Sequence, residues 1–439
     1  ANNYVHPNHS GEVTSTADGA TVIADNIVDE ANLKVSNSPT NGFLLSAQSG
    51  NTGGLTWITA PSTGVATQLT ATSNIGLGTN AVNSITTGDY NVGLGDDALT
   101  ANTEGSWNTG IGTGSLIANT TGTLNTAIGR WSLYTNVTGS SNTAIGNNAL
   151  KTSTVSNNTA VGYNAMKLTT TGANNVAVGA VALLSNTTGG DNNAFGYQSL
   201  DANTTGAFNT AIGQAALSAN TTASNNTAVG GNSLNANTTG ASNVAVGMSA
   251  LLLNTTAPKN TAVGYQALRT NTTGDENVGI GFQALYSNTT GGQNVAMGDE
   301  ALHANTTSQY NTALGSGALK ANTTGSRNTA VGRRALRTNI TTGDQTAVGY
   351  NALNLNVGNY NVAVGSYAFD AAGGAGNSVA IGYAALGANT GGSYNVAVGM
   401  NSLLTSTTAA NNTAVGLSLI HISEPTRLLS ISYAVFCLK

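Results

Sequence analysis

From Gly78 to Gly416 a glycine returns 20 times, 18 times after 17 residues and twice after 16. One phrase surrounds each copy. In the stretch Asn260-Thr261-Ala262-Val263-Gly264 it opens with asparagine and closes on the glycine. Two free positions follow, then Ala267-Leu268, and then Asn271-Thr272-Thr273-Gly274. The 21 copies fill residues 71–416. A unit this short, broken by glycine and by Asn-Thr-Thr-Gly, leaves no room for a helix of about 10 residues or more. Self-similarity at this period predicts an all-β chain, a parallel β-solenoid or β-roll of about 21 coils with one coil per repeat. At roughly 4.8 Å per coil the rod would be about 95 Å long.

Each column of the repeat has a physical meaning. The pre-glycine residue is always large and apolar: Val, Ile or Leu, with Phe195 and Met297 as exceptions. The small column before it holds only Ala or Gly, and the column before that alternates mainly between Thr and Val, both suited to a strand. After the two free positions comes a second small column of Ala or Ser, then a column that is Leu in 17 of 20 copies. Because strand side chains alternate between faces, each coil is expected to set a large apolar column opposite a small one, twice. The recurring glycine supplies a positive φ for one corner, and Asn-Thr-Thr-Gly makes the other. The opening asparagine, present in 19 of 21 copies, can stack as an amide ladder.

So thin a coil buries little apolar surface against the entropy of ordering 17 residues. A column kept small without exception also suggests close approach of another backbone. These two points predict a homotrimer packed around one axis, with the small columns at the contact. The alternative is a monomeric solenoid whose alanine column lines a narrow interior.

The ends differ from the repeats. Residues 1–70 form an N-terminal region with an amphipathic helix expected over residues 23–35, whose apolar side is Ile23, Ile27, Val28 and Leu33. A hairpin is expected to follow, with strands near Phe43–Gln48 and Leu55–Ala60. The chain starts at Ala1 with no visible signal peptide, which reads as a fragment or a processed product. At the other end, residues 417–439 leave the repeat pattern. LSLIHISEPTR resembles a translated reading frame of a sequencing-library adaptor, so a non-native tail is expected there.

Chemistry is sparse. Charged residues are 7% of the chain, against about 25% in ordinary globular domains. The net charge of −5 disfavours a nucleic-acid partner, and no apolar run is long enough to span a membrane. The one cysteine, Cys437, lies in the tail, so no disulfide framework or catalytic thiol is expected. His6 and His9 could approach a metal in a trimer, but read more simply as a polar loop, and His303 reads as solvated. The pairs Asp96-Asp97, Asp275-Glu276 and Asp299-Glu300 read as solubilising charge. No catalytic, cofactor or metal residues are assigned, no cofactor is expected, and the chain reads as a non-enzyme. Arg327, Arg333, Arg334 and Arg337 form the one basic cluster. Aromatic residues recur just before the strand, as at Tyr90, Trp107, Tyr310, Tyr360 and Tyr394. Others follow it, at Tyr163, Tyr197, Tyr265 and Tyr383. They could stack on host sugars or cap coil corners.

The phrase Asn377-Ser378-Val379-Ala380-Ile381-Gly382 is similar to the head repeat of YadA-like trimeric autotransporter adhesins. That resemblance implies a trimeric parallel β-roll, although the adhesin repeat is shorter, about 14 residues. The longer form, Asn260 to Gly274, resembles repeats of phage tail fibres, and His6 to Trp57 resembles a tail-fibre connector. The resemblance therefore implies the structural shaft of a trimeric phage tail fibre in the virion, partnered by other tail proteins and reaching host-surface glycans or proteins. A bacterial surface adhesin head is the alternative. An ice-binding solenoid is a third reading, weakened because Val interrupts the strand threonine column in 8 of 21 copies.

Overall fold

The computed structural model describes residues 13–15, 21–23, 43–47, 55–59, 73–355, 357–371 and 373–418. Two compact units are distinguished. In the smaller, β1 (Val13–Ser15) pairs antiparallel with β2 (Thr21–Ile23). There too, β3 (Phe43–Ala47) pairs antiparallel with β4 (Leu55–Thr59), where the hairpin is expected. Ile23, the expected first residue of the helix, instead ends β2; the rest of that helix, together with His6, His9 and the tail beyond Ser418, lies outside the described residues.

The larger unit is the solenoid. Its strands run from β5 (Ile75–Leu77) to β25 (Thr413–Val415), each three residues long, and among the described residues there is no helix. Neighbours pair in parallel one repeat apart: Thr261 faces Val278, Ala262 faces Gly279 and Val263 faces Ile280. The 16-residue coils keep this register, with Thr143 opposite Thr159 and Thr346 opposite Val362. In the first of them the missing residue falls in the asparagine corner. Asn142 Nδ2 reaches the carbonyl of Val155 across 13 residues, where Asn125 reaches Gly139 across 14.

The corners follow from backbone sterics. Every recurring glycine, Gly78 through Gly416, has φ between 121° and 144°, a region closed to side chains. The glycine of the asparagine corner serves differently. Gly274 has no such φ, but a Cβ there would sit 2.2 Å from the carbonyl oxygen of Gly291.

The interior departs from the expected alternation. In the coil of Gly264, Ala262, Ala267 and Leu268 are all fully buried, so the second small column and the leucine column face the same way. The reason is that Leu268 has φ 52°, and its column repeats this left-handed backbone from Val82 to Leu403. A left-handed residue breaks the strand's period of two and turns the leucine inward.

The strand's small column is also inside. Ala262 and its counterparts are buried within the single chain, not presented to a sister chain. The close backbone that keeps this column small belongs to the chain's own opposite wall. A Cβ on Gly93 would lie 3.2 Å from the Ala98 carbonyl, and one on Gly279 3.2 Å from the Leu268 side chain. Contact through the small columns is therefore excluded, and the large pre-glycine column faces out.

Two buried asparagine ladders fill the rest of the interior. In the expected one, Asn260 donates to the carbonyl of Gly274 at 2.9 Å. Its Oδ1 accepts the backbone N–H of Asn277, also at 2.9 Å. The second runs through the corner asparagines: Asn271 Nδ2 donates to Asn254 Oδ1 at 2.9 Å and to the carbonyl of Gly274 at 2.8 Å. Asn254, Asn260, Asn271 and Asn277 are all fully buried, and each rung bonds to the next, as a buried amide requires.

The corner ladder breaks where Ser153 and Thr169 replace asparagine. Asn136 Oδ1, Ser153 Oγ and Thr169 Oγ1 are buried there without a hydrogen-bond partner among the described residues. Asn186 Nδ2 keeps its bond to Gly189, but has no amide oxygen on the preceding rung. Thr169→Asn would supply it, and is expected to stabilise the chain by about 1 kcal/mol in denaturant titration; unchanged or lower stability would count against the ladder.

Candidate interaction surfaces

With small side chains and amides inside, the outside of each coil presents two broad faces. The strand face carries the threonine/valine column and the pre-glycine column. Ile145, Phe195, Ile212, Met297 and Ile381 on it are 37–43% exposed. All 21 pre-glycine residues are apolar, and neither column contains a charged residue. Three residues by the full stack give a strip of roughly 10 Å by 95 Å, about 950 Å². That matches the roughly 800 Å² each partner buries in a stable interface.

Beside this face, the residues preceding each opening asparagine form an exposed flank on left-handed backbone. Tyr90 and Trp107 stack there, ring centroids 4.2 Å apart. The expected aromatics before the strand, Tyr310, Tyr360 and Tyr394 included, are all more than half exposed. Farther along, charge replaces aromatics: Lys259 pairs with Glu276 at 3.0 Å, and Arg327 forms a two-point fork with Asp344. These contacts hold the Glu276 and Asp344 carboxyls below their ordinary range. Both pairs are exposed, so they fix side-chain direction more than they stabilise.

The back face lies across the thin interior and carries the second residue after each glycine and the residue after each leucine, with the first residue after the glycine along its edge. These columns touch. Trp131 and Tyr134 meet edge-on at 6.3 Å, with the Arg130 guanidinium 3.6 Å from the Trp131 ring centre and Lys151 Nζ at 4.6 Å. Between Arg269 and Tyr383 the face is richest in cations and rings. Arg269 Nη1 donates to Tyr286 Oη at 3.2 Å, and Tyr286 stacks on His303 with centroids 5.2 Å apart and planes 3° off parallel. His303, expected to be solvated, is partly buried, and that burial pushes its imidazole below the ordinary value. Lys320 pairs with Glu300 and, by that bond first, lowers the Glu300 carboxyl. Past Lys320 the guanidinium of Arg333 lies 5.8 Å from the Tyr350 ring centre, and Tyr350, Tyr367 and Tyr383 continue edge to edge.

The expected four-arginine cluster is thus divided. Arg327 belongs to the flank and is neutralised by Asp344, whereas Arg333, Arg334 and Arg337 share the post-glycine side with Lys320. The three carboxylate pairs are not paired sites either. Asp97 accepts from Asn80, Glu276 from Lys259 and Gln293, and Glu300 from Lys320, each along the stack. Among the described residues no cluster of His, Cys, Asp and Glu could hold a metal ion, and no helix is long and apolar enough to cross a membrane. No protein-family model and no curated protein matches this chain.

Proposed function

We propose that the chain is the structural shaft of a trimeric phage tail fibre, three copies turning their strand faces to a common axis and holding a receptor-binding tip away from the particle. The observation that carries the assembly is the uncharged strand face, apolar at every pre-glycine position along the whole stack. Three rods sharing that face would be stiff, and three tips would raise effective concentration at a host surface. The number three and the viral setting rest on the resemblance of Asn377–Gly382 to trimeric adhesin heads and of Asn260–Gly274 to tail-fibre repeats. The exposed aromatic flank, with rings at Tyr90, Trp107 and Phe208, favours a second reading, an adhesin head that binds through its own coils.

An ice-binding surface has less support. The exposed corner threonines run unbroken from Thr171 to Thr341. They form a single column, and the hydroxyls beside them, such as Thr272 Oγ1 to the Thr289 carbonyl at 2.9 Å, are spent on bonds between coils.

Sedimentation tests the assembly. The chain is expected at about 131 kDa, three times its 43.7 kDa. Phe195 and Ile212 face each other across β12 (Asn193–Phe195) and β13 (Thr210–Ile212). Phe195→Lys with Ile212→Lys is expected to release folded chains of 43.7 kDa with an unchanged β-type circular dichroism spectrum. A wild-type monomer, or a variant still trimeric, would contradict the proposal.

A further inference from the structure

We infer that the back face between Arg269 and Tyr383 is a binding surface for an acidic polysaccharide, laid along the rod over several coils. This assignment does not depend on the fibre reading or on the number of chains.

Four cations, Lys320, Arg333, Arg334 and Arg337, fall within 18 consecutive residues, in a chain with only 13 Lys and Arg in all. Among the described residues, only Lys320 of these four has an ion pair, with Glu300. Arg337 lies within electrostatic reach of that same Glu300, and Arg334 makes no hydrogen bond or ion pair among the described residues. Arg334 and Arg337 occupy the positions that Trp131 and Tyr134 hold twelve coils earlier, where the side chains touch. Two guanidinium groups therefore occupy adjoining columns, neither of them bonded to a carboxylate among the described residues. Unpaired forks of this kind suit carboxylate or sulfate oxygens, which they bind two at a time.

Flat rings flank the cations on both sides along the stack, Tyr286 and His303 before them, Tyr350 and Tyr367 after them. A ring edge or face gives a sugar an apolar platform while a neighbouring guanidinium takes its acid group. The rungs repeat at about 4.8 Å in a straight line, so the surface fits a linear polymer better than a compact ligand. Nucleic acid fits less well: the chain carries net −5, and the cations are confined to a few coils. The back face is opposite the strand face, so association through the strands leaves it open.

Binding of the full chain to heparin, a carboxylated and sulfated glycan, tests the inference by calorimetry, with dextran, polyglutamate and single-stranded DNA in parallel. The expected result is saturable heparin binding, no dextran binding, and weaker binding of the other two polyanions. Arg334→Glu with Arg337→Glu is expected to weaken heparin binding by about tenfold per arginine, with the melting temperature unchanged. Tyr350→Ala is expected to weaken heparin but not polyglutamate. No heparin binding, a double variant that binds as well as wild type, or DNA and polyglutamate binding as tightly as heparin would each overturn it.

Discussion

Gly264→Ala is expected to cut the solenoid in two. The residue has φ 130°, and a Cβ there would sit 2.4 Å from the carbonyl oxygen of Gly281 and 2.7 Å from its carbonyl carbon. Strain at such a backbone angle costs on the order of 1–3 kcal/mol. The clash is with backbone of the next coil, so no side chain can rotate away, and the two coils must separate. A stack in which each coil touches only its neighbours loses a whole interface at one defect. The consequence is local: coils on both sides of Gly264 keep their own neighbours. We expect most of the β-type circular dichroism signal to survive, a lower and broader melting transition, and new protease cleavage close to residues 264–281. An alanine variant that melts like wild type and resists protease would show that the corner has room.

Asn260→Asp is expected to be nearly as damaging at neutral pH, and to recover in acid. The change is almost isosteric, yet it removes the Nδ2 donor and aims a carboxylate at the Gly274 carbonyl, 2.9 Å from the present nitrogen. The remaining oxygen can still accept the Asn277 N–H. A charge buried at this depth, with the hydrogen bonds to Gly274 and Pro258 lost and an oxygen facing it, costs several kcal/mol. Burial raises the folded-state pKa of the new carboxyl above its unfolded value near about 3.9. A raised folded pKa means stability is fully present below the unfolded value and is lost as pH rises from there through the folded value, so the variant's deficit should shrink towards about pH 4. Protonated, the acid can donate its O–H to Gly274. A deficit independent of pH would mean that lost packing, not buried charge, is the cause. Ser378 marks what the ladder accepts: its hydroxyl donates to the Gly376 carbonyl at 3.1 Å and takes the Asn395 N–H at 3.0 Å. Asn260→Ser should therefore be milder than Asn260→Asp.

The glycine beat and the Val/Ile-Gly phrase placed every strand of the stack, because a repeat this short allows one geometry per coil. The opening-asparagine ladder could also be read, since only a stacked amide explains so regular a polar residue beside a strand. The interior could not be assigned the same way. A column held to Ala or Gly reports a close backbone without saying whose, and the wall through Ala98 and Leu268 belongs to the same chain. Alternation failed at the leucine column because φ near 50° at a leucine has no sequence signature. The corner asparagines carried a signal too, in 15 of 20 copies, but Asn-Thr-Thr-Gly reads as turn chemistry, which hid their burial. On the surface, Arg327 and Arg333 are six residues apart in sequence yet lie on different sides of the coil, so the basic cluster was legible as composition and not as a surface.

Everything rests on successive strands lying rung over rung. Val229 stands opposite Val246, one repeat on. Neighbouring strands are about 4.8 Å apart, inside the range of about 4.4–6.8 Å that a disulfide spans. Val244 lies two residues back along the same face, and the diagonal to it, about 8 Å, is too long. With Cys437 replaced by serine, oxidation of the Val229→Cys, Val246→Cys chain is predicted to close an intramolecular disulfide in the folded state, and oxidation of the Val229→Cys, Val244→Cys chain is not. Equal closure of both pairs, or closure of the second alone, would contradict the stack.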